Sequence, residues 1–139
     1  MDKLSFAKLR PGDDLPELRI EITAKLIVGG AIASRDFQDV HHDQDAAQAL
    51  GSPDIFMNIL TTNGLVGRYV TDWCGPGARL KKVDIKLGAP NYPGDRLVFS
   101  GVISSKNDAA RTVEVKIAGR NRLGEHVSGA ICVEFQVKE

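Results

Sequence analysis

Residues 52–73 read SPDIFMNILTTNGLVGRYVTDW, and this segment decides the fold. Ser52 suits a helix N-cap, Pro53 the first helical position and Asp54 the first turn. Ile55, Ile59, Thr62, Val66, Tyr69 and Trp73 recur at helical spacing. Phe56, Met57, Leu60 and Leu65 fill other faces, so the helix is apolar nearly all round until Arg68. A helix of that kind is expected to be buried, not laid on a surface. Gly64 and Gly67 each cost about 1 kcal/mol in a helix interior. Close approach of the helix to a sheet would account for keeping them. Cys74-Gly75-Pro76-Gly77 ends the helix.

Downstream, ARLKKVDIKL, DRLVFSGVISS, RTVEVKIAGRN and HVSGAICVEFQV alternate as strands, separated by Pro93-Gly94, Lys106-Asn107-Asp108 and Leu123-Gly124-Glu125. Upstream, LPELRIEITA alternates through Leu18, Ile20 and Ile22 and predicts a further strand. KLIVGGAIAS is continuously apolar and reads as a strand buried on both faces. DQDAAQAL predicts a short helix capped by Asp43 or Asp45. Pro11-Gly12-Asp13 and Pro93-Gly94-Asp95 are matching corners before extended segments. The order is strand, strand, polar loop, long helix, then a run of strands. One sheet wrapped round one buried helix, an α+β architecture, accounts for it.

The 139 residues suffice for a single domain with one core, and no linker or second domain is visible within 1–139. Eighteen basic residues balance eighteen acidic ones, which argues against nucleic acid as a partner. Arg79, Lys81 and Lys82 form a local basic cluster, which reads as a solvated strand edge or as a contact for phosphates. No apolar run reaches the ~20 residues of a membrane span, and the first fifteen residues lack the apolar core of a signal peptide. Cys74 and Cys132 lie outside any metal or redox spacing, so a reduced, cytoplasmic protein is expected.

Ser34-Arg35-Asp36-Phe37-Gln38-Asp39-Val40-His41-His42-Asp43 concentrates titratable groups between apolar segments. Asp36 and His41, five residues apart, converge if the chain turns between them, and such a pair can hold a water. Histidine supplies a group that titrates near neutrality, and a carboxylate is tuned by burial or hydrogen bonds. The bland alternative has Asp36 and Asp39 capping turns and His41 packed under the sheet, with Ser34 a local cap. A metal site at His41, His42 and Asp43 is not expected, because adjacent side chains of an extended segment point to opposite faces. Asn58 either hydrogen-bonds within a site or bonds a helix neighbour, and Asn63 is similar. Tyr69 and Trp73 read as core.

The decapeptide resembles the S-G-D-x-N-P-x-H-x-D signature of the MaoC-like (R)-specific enoyl-CoA hydratases, with Asp36, His41 and Asp43 in register. Arg35, Gln38 and Asp39 replace the family's Gly, Asn and Pro. The 54–66 segment resembles the family's G-I-x-x-H-G-M-L-T-x-G-L-V helix, with Asn58-Ile59 where the family has H-G. APNYPGDRLVFSGVI resembles its later P-x-x-x-G-D-x-L corner. The resemblance implies a hotdog fold, an antiparallel sheet around a long central helix. It implies catalytic Asp36 and His41, and a main-chain N–H at Ile59 for the thioester oxygen. Asn58, Asn63 and Gly64 become candidate substrate contacts. No cofactor is implied, because the substrate carries coenzyme A.

SRDFQDVHHD, DIFMNILTTNGLVGRYVTDW and GRNRLGEHV are also similar to the small subunit of the two-subunit steroid side-chain enoyl-CoA hydratases of bacterial cholesterol degradation. That likeness implies hydration of a 17-ene three-carbon steroid side chain as its CoA thioester. It also implies a larger hotdog-containing partner that lacks the Asp/His pair, in an α2β2 assembly. The rival expectations are a hotdog acyl-CoA thioesterase using Asp36 on the thioester carbonyl, and a non-catalytic hotdog partner subunit.

Overall fold

The structure, a computed structural model, describes residues 4–136. A 3-10 turn at Phe6–Lys8 leads into β1 (Asp14–Glu21), α1 (Ala24–Ala33), a second 3-10 turn at Asp39–His41, α2 (Gln44–Ala49) and α3 (Ile59–Cys74). Then follow β2 (Ala78–Leu87), β3 (Arg96–Asn107), β4 (Thr112–Asn121) and β5 (Gly124–Phe135). The strands form one five-stranded sheet in the order β1-β3-β4-β5-β2, with every neighbouring pair antiparallel.

Alternation in β3, β4 and β5 puts Leu97, Phe99, Ile103, Val113, Val115 and Ile131 on the inner face, all buried. Against them α3 lays Leu65, Val66, Tyr69 and Val70, and Tyr69 stacks on Phe99 at 5.3 Å. Register irregularities at Leu15/Leu18, Leu80/Lys82, Ile103/Ser105 and Gly119/Arg120 bend the strands, which lets the sheet curl round the helix. Gly119 permits close packing on the inner face: a Cβ there would stand 2.8 Å from Val127 Cγ1 and 3.0 Å from Phe99 Cε1. The antiparallel sheet, the long helix and the two Pro-Gly-Asp corners are as the sequence predicts.

Four expectations are corrected. KLIVGGAIAS is helix, not strand: Thr23 caps it by accepting from the Leu26 N–H at 3.0 Å, and of the apolar run Ile27 and Ala31 are the buried face of α1. The central helix starts at Ile59 with Asn58 as its N-cap, not at Ser52. Residues 55–58 stay extended because tertiary bonds claim their backbone. The Phe56 N–H donates to the Val40 carbonyl at 3.3 Å, and the Met57 N–H to the Asn91 carbonyl at 3.1 Å. Finally, α3 is not buried all round: Ile59 is 63% and Leu60 51% exposed. Gly64 and Gly67 do not mark close approach to the sheet. A Cβ at Gly64 meets nothing within 4 Å, and one at Gly67 only an ordinary contact with Leu80 at 3.7 Å. The tight helix contact is instead at Gly30 of α1, where a Cβ would overlap Thr61 of α3.

Candidate active site

Asp36 is placed by the way α1 ends. Ser34 is the C-cap, and Arg35 follows with φ +56, in the left-handed region. The Arg35 N–H donates to the Ile32 carbonyl at 3.0 Å and the Asp36 N–H to the Ala31 carbonyl at 2.9 Å. This pair of bonds is a Schellman motif, which turns the chain sharply at a helix C-terminus. Asp36 is therefore fixed by its own backbone at the first position beyond the turn. Its carboxylate is partly exposed.

His41 closes the following 3-10 turn, where its N–H donates to the Gln38 carbonyl at 3.1 Å. The imidazole is buried, 5% exposed, with its ring edge-on to Phe56 at 5.1 Å. Nδ1 donates to the Phe56 carbonyl at 2.7 Å, and a carbonyl can only accept, so the proton on that nitrogen is assigned. Nε2 then faces Asp36 Oδ2 at 3.3 Å. The two residues converge, as their spacing suggested. His42 points elsewhere, towards the exposed Asp39 at 3.7 Å. Asp43 caps α2 by accepting from the Ala46 N–H at 3.1 Å.

Asn58 joins the end of α1 to the start of α3. Its Oδ1 accepts from the Thr61 N–H at 3.0 Å and from the Thr61 hydroxyl. Its Nδ2 donates to Ser34 Oγ at 2.9 Å and to Asp36 Oδ2 at 3.1 Å. The Asn58 amide is the main reason the Asp36 carboxyl is held below its ordinary pKa. Desolvation pushes the other way, less strongly than the Asn58 bond, and the Gln38 N–H and the charge of His41 add smaller downward pulls. The carboxylate is thus ionised at neutral pH. The Ser34–Asn58 bond is not signalled by sequence spacing, because the partners lie 24 residues apart.

Ile59 is the first residue of α3. Among the described residues its N–H has no protein acceptor, as expected for the first turn of a helix, where the dipole also favours negative charge. Asn63 and Gly64 lie one turn on, both exposed. Tyr69 is core, and Trp73 packs edge-on against Phe135 at 6.3 Å. Arg79, Lys81 and Lys82 sit on β2, an edge strand, with Lys81 paired to Glu134 at 3.3 Å. Below the site His126 is buried: Nδ1 donates to the Ala89 carbonyl at 2.6 Å and Nε2 accepts from the Thr62 hydroxyl at 2.8 Å. No motif in the sequence singles this histidine out.

Residues 7–122 match the family described as the MaoC like domain. Over 120 residues the chain is 52% identical to the 3-oxo-4,17-pregnadiene-20-carboxyl-CoA hydratase beta subunit of Mycobacterium tuberculosis, covering 86% of this chain and 92% of that one. It superposes with a TM-score of 0.88, at 49% identity, on a chain in the crystal structure of the ChsH1-ChsH2 complex from the same organism, covering 91% and 98% respectively. The R-hydratase PhaJ1 of Pseudomonas aeruginosa superposes with a TM-score of 0.87 over 96% of this chain and 86% of that one, at 19% identity, a likeness of fold.

Proposed function

The chain belongs to the MaoC-like domain family, and from that premise we propose that it adds water across the α,β double bond of a steroid side-chain enoyl-CoA, as the catalytic subunit of a hetero-oligomer. The observation that carries the reading is the Asp36–His41 pair, with Oδ2 and Nε2 3.3 Å apart in a sequence half-identical to a hydratase subunit.

Hydration needs a base for the water proton, an acid for the α-carbon and a donor for the thioester oxygen. The pair shares one proton. One member takes a proton from the water as its oxygen bonds the β-carbon. The other delivers its proton to the α-carbon, and the proton then recrosses the 3.3 Å gap to reset the pair. With Nδ1 committed to Phe56, only Nε2 of His41 takes part. The N–H of Ile59 is the donor for the oxygen, where charge builds in the transition state. Asn63 and Gly64 line the substrate's approach in this reading. Coenzyme A arrives with the substrate, and no further cofactor is required.

The partner is a larger hotdog-containing subunit without the Asp/His pair, in an α2β2 assembly. Support comes from the two-component complex that contains the 49% identical chain. The exposed apolar side chains of Ile32, Phe37, Ile59 and Leu60, on the segments that frame the pair, also favour a covered site. Among the described residues no helix is long and apolar enough to cross a membrane.

The test is incubation of the chain, with and without the larger hotdog-containing subunit proposed as its partner, with steroid and short-chain enoyl-CoAs. A mass gain of one water on the steroid thioester is expected, and it should vanish in Asp36→Asn and His41→Ala. Free CoA released with no hydrated product would favour a thioesterase instead. Full activity in both variants would sink the assignment.

A further inference from the structure

We propose that Asn58 is a positioning residue that orients the Asp36 carboxylate from behind, without touching substrate. This rests on the hydratase reading of Asp36 and His41. The orientation of the Asn58 amide is not a matter of choice. The Thr61 backbone N–H can only donate, and it lies 3.0 Å from one end of the amide, so that end is the oxygen. The nitrogen therefore faces Ser34 and Asp36, and its two hydrogens are matched by two acceptors, at 2.9 and 3.1 Å.

Both donors and the oxygen's two acceptor directions are taken. The side chain is 2% exposed, so neither a donor nor open surface is left for a ligand. Ser34 is itself held, because its hydroxyl donates back to the Gly30 carbonyl at 2.7 Å. Asn58 thus bolts the last turn of α1 to the first turn of α3. Its hydrogen bond fixes Oδ2, the same oxygen that faces His41. One amide sets the rotation of the carboxylate and favours its charged form. A catalytic carboxylate loses efficiency quickly when its orientation is left free.

Asn58 is also the N-cap of α3, and two variants separate that duty from positioning. Asn58→Asp keeps an oxygen for the Thr61 N–H but removes both donors and sets a second carboxyl beside Asp36. Asn58→Ser keeps capping ability, since serine is a good N-cap, but its short hydroxyl does not reach Asp36. In the complex with its partner subunit, both variants are expected to lose about 10- to 100-fold in kcat with KM within about 2-fold. The 13C-carboxyl resonance of Asp36, identified by its absence in Asp36→Asn, is expected to titrate at higher pH in both.

Wild-type kcat and an unmoved Asp36 titration in both variants would leave Asn58 a helix cap and overturn the inference. A large rise in KM at unchanged kcat would overturn it too, by making Asn58 a substrate contact. If Asp36→Asn itself stayed active, the hydratase reading would fail, while the carboxyl titration would still report on the hydrogen bond.

Discussion

His41 Nε2 and Asp36 Oδ2 lie 3.3 Å apart, while the other nitrogen of the ring is spent on the Phe56 carbonyl. Because Nδ1 always carries a hydrogen, Nε2 and an ionised Oδ2 are two acceptors face to face whenever the ring is neutral. Such a pair is stable only with a hydrogen between them, either a proton on Nε2 or a water that donates one hydrogen to each. The spacing therefore selects for the species that hydration consumes. Nitrogen-15 NMR of the imidazoles is expected to show His41 protonated at Nδ1 in its neutral form, with that hydrogen protected from exchange. A neutral ring protonated at Nε2 would contradict the geometry.

Arg35 occupies the left-handed position of the Schellman motif with φ +56, where the family signature has Gly. A non-glycine residue there costs roughly 1–2 kcal/mol, part of which glycine returns through its freer unfolded chain. Arg35→Gly is expected to raise stability by about 0.5–1 kcal/mol in urea melts and to leave hydration intact, because the turn that presents Asp36 is unchanged. A β-branched residue does worse in this conformation. Arg35→Val is expected to destabilise, and to cut activity by moving the carboxylate away from His41.

The same arginine explains what was hard to read in the sequence. A glycine at 35 would have announced a helix C-terminus and turned KLIVGGAIAS into α1. With arginine there, and with the β-branched Ile27 and Val28 in a continuously apolar run, the hydrophobic pattern favoured a strand. The signals for helix were the Thr23 cap and the packing of Gly30 on Thr61, the second of them tertiary. The start of α3 was obscured in a similar way. Ser52-Pro53-Asp54 has good capping chemistry, but Phe56 and Met57 are bound to Val40 and Asn91, far along the chain. Strands β2 to β5 were legible because alternation and turn residues are local properties. The pairing of Asp36 with His41 was legible because both lie within one bend; the Asn58 network, drawn from two helices, was not.

Gly29 and Gly30 are neighbours in α1 with opposite surroundings. A Cβ on Gly29 meets nothing within 4 Å, whereas one on Gly30 would overlap Thr61 Oγ1 and stand 3.1 Å from Thr61 Cβ, which no rotamer change can move. Gly29→Ala is expected to stabilise the protein by up to about 1 kcal/mol, the ordinary helix gain. Gly30→Ala should destabilise it by about 1–3 kcal/mol despite the same gain, because α1 must lift off α3. Hydration should also fall in Gly30→Ala, since Ser34 and Asp36 at the end of α1 would move away from Asn58. Denaturant melts of the two variants, measured in parallel, check both signs.

His126 is buried with Nδ1 on the Ala89 carbonyl and Nε2 2.8 Å from the Thr62 hydroxyl, from which the neutral ring accepts. Burial pushes its pKa below the ordinary histidine value, with the Ala89 bond opposing the shift less strongly. The unfolded chain takes up a proton near pH 6.5 that the folded chain refuses. The contribution is therefore whole above about pH 6.5 and is lost progressively as the pH falls towards the folded-state pKa. His126→Gln removes the titration. It should cost about 1–3 kcal/mol at pH 7.5 through its imperfectly replaced hydrogen bonds. The gap between the two proteins is expected to narrow from pH 7.5 to 5, as only the wild type pays to exclude the proton. A gap that stayed constant across that range, in thermal melts at matched ionic strength, would mean that the folded protein accepts the proton on His126 as readily as the unfolded chain does.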